Sequence, residues 1–198
     1  MVVPSRLEAA RLLLDLEPPD WLIEHSSAVA DVAAFIAAAT AQRGHRIDRQ
    51  LVETAALLHD LDKALPEDER RQAMGHGHAG ADWLVGLGYG ELGPVVADHP
   101  VTRLADEPTW RRWWNDASIE ARVVSYADKR VTSELVPMAA RFADWRRRYP
   151  EVPERTALAE ERAQLLEQDV CMAGGLRPED VERLAWAAEA IERVRQAR

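Results

Sequence analysis

A single cysteine, Cys171, in a chain of 198 residues excludes an intrachain disulfide and a cysteine-based zinc site, and leaves that residue as core filler. Sustained alternation of apolar and polar residues is also missing, so half-buried β-strands are not expected. No uninterrupted apolar run approaches the ~20 residues needed to cross a bilayer. The first residues, Met-Val-Val-Pro-Ser-Arg-Leu-Glu, lack the apolar centre of a signal peptide. A cytoplasmic protein that engages no membrane is the expectation. Positive charge is in deficit: 25 Lys and Arg stand against 34 Asp and Glu, a formal net charge of −9. That balance argues against nonspecific nucleic-acid binding, which needs a basic footprint to displace counterions. An anionic substrate would need local compensation, from a metal or a few cations.

What the chain does contain is helical. Hydrophobic residues make up 47% and charged residues 30% of it, a globular composition with Ala, Leu, Glu and Arg prominent. Its length suits one domain, residues 1–198, and the fold class expected is all-α. The apolar spacing predicts a helix from Ser5 to Leu16, stopped by Pro18-Pro19, then a long one from Trp21 to Gln42 capped by Asp20. Asp48 caps a third that fades at Pro66. A loop at Gly75-His-Gly-His opens into a helix closed by Gly86, Gly88 and Gly90, and a short helix from Glu91 to Asp98 is ended by Pro100. Trp110, Trp113 and Trp114 read as an aromatic packing face. Ala117 to Thr132 is the next helix, continued or followed by Ser133 to Tyr149 with a bend at Pro137. Glu154 to Met172 and Pro178 to Arg195 complete the set.

Chemistry concentrates in Ala-Ala-Leu-Leu-His59-Asp60-Leu-Asp62-Lys63. A helix seldom hides such groups among leucines without a compensating partner, and a divalent cation is one. His59 and Lys63 share a helix face, with Asp60 about 100° around. His25, His78, His99 and Asp128 sit in similarly apolar or small-residue surroundings on other predicted helices. Facing side chains converge inside a helical bundle, and a mixed imidazole and carboxylate set suits iron, manganese, nickel, cobalt or zinc.

The order His25, His59-Asp60, Asp128 resembles the ligand pattern of the HD superfamily of metal-dependent phosphohydrolases. Three local matches carry the resemblance: His25-Ser-Ser-Ala-Val-Ala, Leu57-Leu-His-Asp-Leu-Asp-Lys63 and Ser125-Tyr-Ala-Asp-Lys-Arg130. It implies an HD-type helical bundle with its core at about 20–132 and helices of 133–198 packed on it. Two-metal members place two further histidines before the last Asp, and His78 and His99 stand in similar segments. On that pattern His25, His59 and Asp128 hold one ion, His78 and His99 the other, and Asp60 bridges. His76 is the alternative to His78, the helical continuation favouring the latter. Paired cations lower the pKa of a shared water and stabilise phosphate oxygens during in-line displacement. Lys63 is a candidate contact for a nonbridging oxygen or the leaving group, and Arg130 for a second phosphate.

Where two-metal relatives often carry glycine, this chain has Asp62. It either holds His59 from behind or, as favoured here, faces solvent beside Lys63. The resemblance implies hydrolysis of a nucleotide or similar phosphorylated small molecule. The bacterial HD proteins that split diadenosine tetraphosphate symmetrically look nearest. The same ligands would also serve a di-iron oxygenase acting on a phosphonate or polyol, or a non-catalytic nucleotide-binding module. In that last case the run Trp145-Arg-Arg-Arg-Tyr149 is a conceivable contact surface, although a solvated basic face is favoured. His45, in a polar turn, reads as an ordinary surface residue.

Overall fold

α2, Asp20–Gln42, is the axis around which the other helices gather, because its Ala, Val and Ile positions are buried around nearly its whole circumference. The computed structural model describes residues 2–68 and 75–198. α1 is Arg6–Asp15, α3 Arg49–Leu58, α4 His78–Gly86, α5 Leu92–Ala97, α6 Val101–Leu104, α7 Glu107–Asp116 and α8 Ile119–Lys129. α9, Met138–Arg148, α10, Pro153–Gly174, and α11, Trp186–Gln196, follow. The fold is all-α, and among the described residues there is no strand beyond an isolated bridge between Val131 and Leu135. α2 packs on α3, α8, α10 and α11, while α1 rests on α3 and α11. By length and composition α2 could cross a membrane, although no unbroken apolar run marks it, yet most of it is buried by these neighbours.

Local chemistry sets the helix starts. Ser5 and Glu8 form a reciprocal capping box on α1. Asp48, Asp106 and Ser118 accept from Leu51, Thr109 and Ala121 amides at the starts of α3, α7 and α8. Asp20 is a first-turn residue of α2 rather than its cap; Pro19 holds the cap position without a side-chain bond. Two further boundaries differ from expectation. α3 stops at Leu58, and Leu61–Lys63 form a separate 3-10 turn. Ala185 gives way to α11 only at Trp186, after a short 3-10 turn at Pro178–Asp180. The segment 130–137 is a folded-back connection, with Val136 N–H donating to Arg130 O at 2.7 Å, so α8 and α9 are distinct.

Tertiary anchors then fix the C-terminal helices. Buried Asp31 on α2 accepts from the Ala187 amide at 3.1 Å, and the Trp186 indole donates to Ala30 O at 3.3 Å. The tryptophans of α7 pack as expected: Trp113 is buried, and Trp110 stacks on Trp114 with ring centroids 4.8 Å apart. Cys171 is buried as core filler.

Candidate metal centre

α3 delivers His59 at its C-terminal boundary, and the backbone then leaves helical geometry at Asp60 (φ −104°, ψ 10°). This break alters the expected 100° separation and lets the two side chains meet. His59 Nε2 lies 3.5 Å from Asp60 Oδ2 and 3.6 Å from Asp128 Oδ1. His25 Nε2, from α2, is 3.5 Å from the same Asp60 oxygen and 3.3 Å from Asp128 Oδ1. Asp60 Oδ1 faces the other way, 3.3 Å from His99 Nε2 and 3.2 Å from His76 Nε2. Asp60 thus stands between two groups of imidazoles.

The tautomers are set from behind. His25 Nδ1 donates to Thr132 O at 2.7 Å, His59 Nδ1 to Ala56 O at 2.8 Å and His99 Nδ1 to Val96 O at 2.7 Å. Each of these rings, when neutral, keeps its proton on Nδ1 and aims an Nε2 lone pair inward. Asp62 does the same for the fourth ring, its Oδ2 accepting from His76 Nδ1 at 2.8 Å and from the Gly77 amide at 3.3 Å. Asp62 is therefore buried, and neither faces solvent nor supports His59.

These groups fit divalent cations. His59 Nε2 is fully buried without a hydrogen-bond partner, an expensive arrangement for a polar atom unless a cation receives it. Ligands bound at about 2.1 Å and 90–110° apart would put donor atoms roughly 3.0–3.5 Å from each other, close to the spacings above. Among the described residues, three sets of donor atoms come within 4.8 Å of one another: His25, His59 and Asp128; His59, Asp60 and His99; Asp60, Asp62 and His76.

Electrostatics keeps the carboxylates ionised. Burial works against charge on Asp60, but His59, His76 and His99 hold it well below the usual carboxylate range. Asp128 is likewise held low against burial, by Lys129 and by His25 and His59. Burial drives His99 down to about 4, which keeps its ring neutral. For His25, the opposing effect of burial is outweighed by Asp128 and Asp60, and its pKa rises. Burial also opposes charge on His76, yet Asp60 and Asp62 lift it to about 9.

Two expected residues lie elsewhere. His78 opens α4, and its Nε2 faces Asp98 Oδ1 at 3.5 Å. The chain turns at Gly77, where φ is +86° and a Cβ would sit 2.4 Å from Ala97 O; this tight passage turns His76 toward Asp60 and leaves His78 by Asp98. Arg130 spends its guanidinium on structure. Its Nε donates to Val136 O, while Nη1 and Nη2 reach the Tyr126 hydroxyl, Glu167 and Pro178 O. The expected contact with a second phosphate has no free donor directed at the centre.

Lys63 does reach the centre, with Nζ 2.5 Å from Asp60 Oδ2 and its side chain 37% exposed at the rim. Two other contributors carried no readable signal. Lys129 is wholly buried and donates to His99 O at 2.6 Å and Ser125 O at 3.0 Å, tying two ligand-bearing segments together. A cleft of about 410 Å³ opens above Asp60, His76, His99 and Asp128, walled by Arg141, Trp145, Arg148 and Tyr149 of the α9 region and by Arg155 and Thr156 of α10. Positions 141, 145, 148 and 149 share one helix face. Three of the five residues from Trp145 to Tyr149 thus line the cleft.

The HD domain family model matches residues 22–132. Among curated proteins, an uncharacterized protein of Methanocaldococcus jannaschii is 31% identical over 80 residues, 40% of this chain and 44% of that protein. The uncharacterized protein YpgQ of Bacillus subtilis is 34% identical over 124 residues, 62% of this chain and 55% of its own length. The chain spans about half the length of these relatives. No solved structure gave a significant match. With more than half of its residues matched, and with the histidines and aspartates of its centre lying within that span, the chain belongs to the HD domain family.

Proposed function

We propose that the centre binds two divalent transition-metal cations and hydrolyses a phosphoester or phosphoanhydride of a nucleotide or a similar phosphorylated small molecule. The observation that carries this reading is the division of Asp60: one oxygen faces His25 and His59, the other His76 and His99, at the floor of a cleft with basic walls. His25, His59 and Asp128 would hold one cation and His76 and His99 the other, with Asp60 shared. Such cations, when bound, activate water and offset charge on phosphate oxygens.

The remaining work falls to side chains. Lys63, exposed at the rim beside Asp60, is placed to hold a nonbridging oxygen or to give a proton to the departing oxygen. Lys129 neutralises Asp128 from the buried side and fixes the His99 backbone. Asp62 orients the His76 ring. The test is phosphate release by metal-replete protein from a nucleotide panel that includes diadenosine tetraphosphate. Hydrolysis by the wild type and loss of at least about 10³-fold in Asp60→Ala is expected. Full turnover in that variant, or iron-dependent oxygen uptake with a phosphonate in place of hydrolysis, would overturn the proposal.

A further inference from the structure

The cleft wall is more selective than a generic basic surface. Of the arginines on α9, Arg146 is paired with Glu160 and Arg147 with Asp144, both outside the cleft lining. Arg141 and Arg148 line the cleft, joined by Arg155 from the first turn of α10. In a chain with net charge −9, this convergence of cations beside a metal-ligand cluster is local and directed.

Arg141 is the most informative of the three. Among the described residues it has no hydrogen-bonded or ion-paired partner, and its Nε is buried without an acceptor. Its guanidinium lies 4.4 Å from the Trp145 ring centroid, and Trp145 is held in turn by an edge-to-face contact with Phe142. A stacked, partly desolvated guanidinium with unused donors is organised for an oxyanion, which it can bind through two parallel N–H groups. Arg148 is steadied by Asp144 at 2.5 Å and remains 45% exposed. Seven residues separate it from Arg141, about 10 Å along the helix axis. α10 also begins at this wall without a side-chain cap, adding the positive end of a long helix.

We infer that Arg141, Arg148 and Arg155 form a graded phosphate-binding row that selects substrates with two or more linked phosphates over monophosphates. Arg141 takes the phosphate nearest the ligand cluster, and Arg148 and Arg155 take those farther out. This inference rests on the hydrolase reading for catalysis, but the row's preference for a phosphate chain can be measured without turnover.

The experiment has two arms. With metal-replete enzyme, kcat/KM for a nucleoside triphosphate and diphosphate should exceed that for the monophosphate by at least about 10-fold. Arg148→Ala should raise KM for the triphosphate about 10-fold with a smaller effect on kcat, and Arg148→Lys should recover part of the loss. Equal kcat/KM across the three nucleotides, or an unchanged KM in Arg148→Ala, overturns the inference while leaving hydrolysis intact. Calorimetry with inorganic tripolyphosphate and inorganic phosphate forms the second arm. Tighter binding of tripolyphosphate, weakened by Arg141→Ala and by Arg148→Ala, is expected even if no nucleotide is hydrolysed. Equal affinity for the two anions, or no weakening in either variant, contradicts the row.

Discussion

At the scale of the residue, Asp60 separates two ligand groups, and the group on its Oδ1 side contains His76. Asp62 holds that imidazole through Nδ1. A carboxylate behind a ligating histidine typically contributes 10- to 100-fold, roughly, to metal affinity. Asp62→Ala should therefore weaken one of two bound equivalents by about that factor while leaving the other in place. His76→Ala should remove that equivalent, and His78→Ala should not, because His78 faces Asp98. Metal titration of the three variants checks this, and loss of an equivalent in His78→Ala alone would reverse the assignment. Sequence could not tell which histidine of this pair lies beside Asp60, because that depends on the backbone at Gly77 and on a carboxylate fourteen residues from His76. The residue types and their order, by contrast, were legible because HD motifs are local strings.

At the scale of the element, α11 is fastened to α2 through Asp31, whose carboxyl faces the Ala187 amide, Arg183 and Glu189. Burial pushes its pKa up to about 6, against the pull of the backbone donors and Arg183. The folded state thus keeps a proton that the unfolded state releases near 4. The stability contributed by the neutral acid is complete below the unfolded pKa and is lost as pH rises through about 6. Asp31→Asn should accordingly gain on the wild type by on the order of 2 kcal/mol between pH 4 and 7.5. Denaturant unfolding of both proteins across that range measures the difference; parallel pH profiles would refute it. Helix existence was readable from apolar spacing, and caps such as Ser5, Asp48 and Ser118 act locally. The end of α3 at Leu58 was not, since Leu61 and the residues before it continue an apolar helical pattern. The helix gives way there to a turn at Asp60, whose carboxylate lies beside three other histidine-bearing segments.

At the scale of the whole molecule, the family match covers residues 22–132, whereas the outer wall of the cleft comes from α9 and α10 beyond it. The clustered histidines and aspartates and the outer cleft wall are thus divided between the matched and unmatched parts of the chain. That division explains why the centre could be read from motifs while the cleft wall could not: Arg141, Arg148 and Arg155 acquire a common purpose only when α9 and α10 close over the centre. The proposed hydrolysis depends first on the paired cations. Elemental analysis of the purified, metal-reconstituted protein is the most direct measurement. Two equivalents of transition metal per chain, abolished together by Asp60→Ala, are predicted; no bound metal, or saturation at one equivalent, would contradict the account.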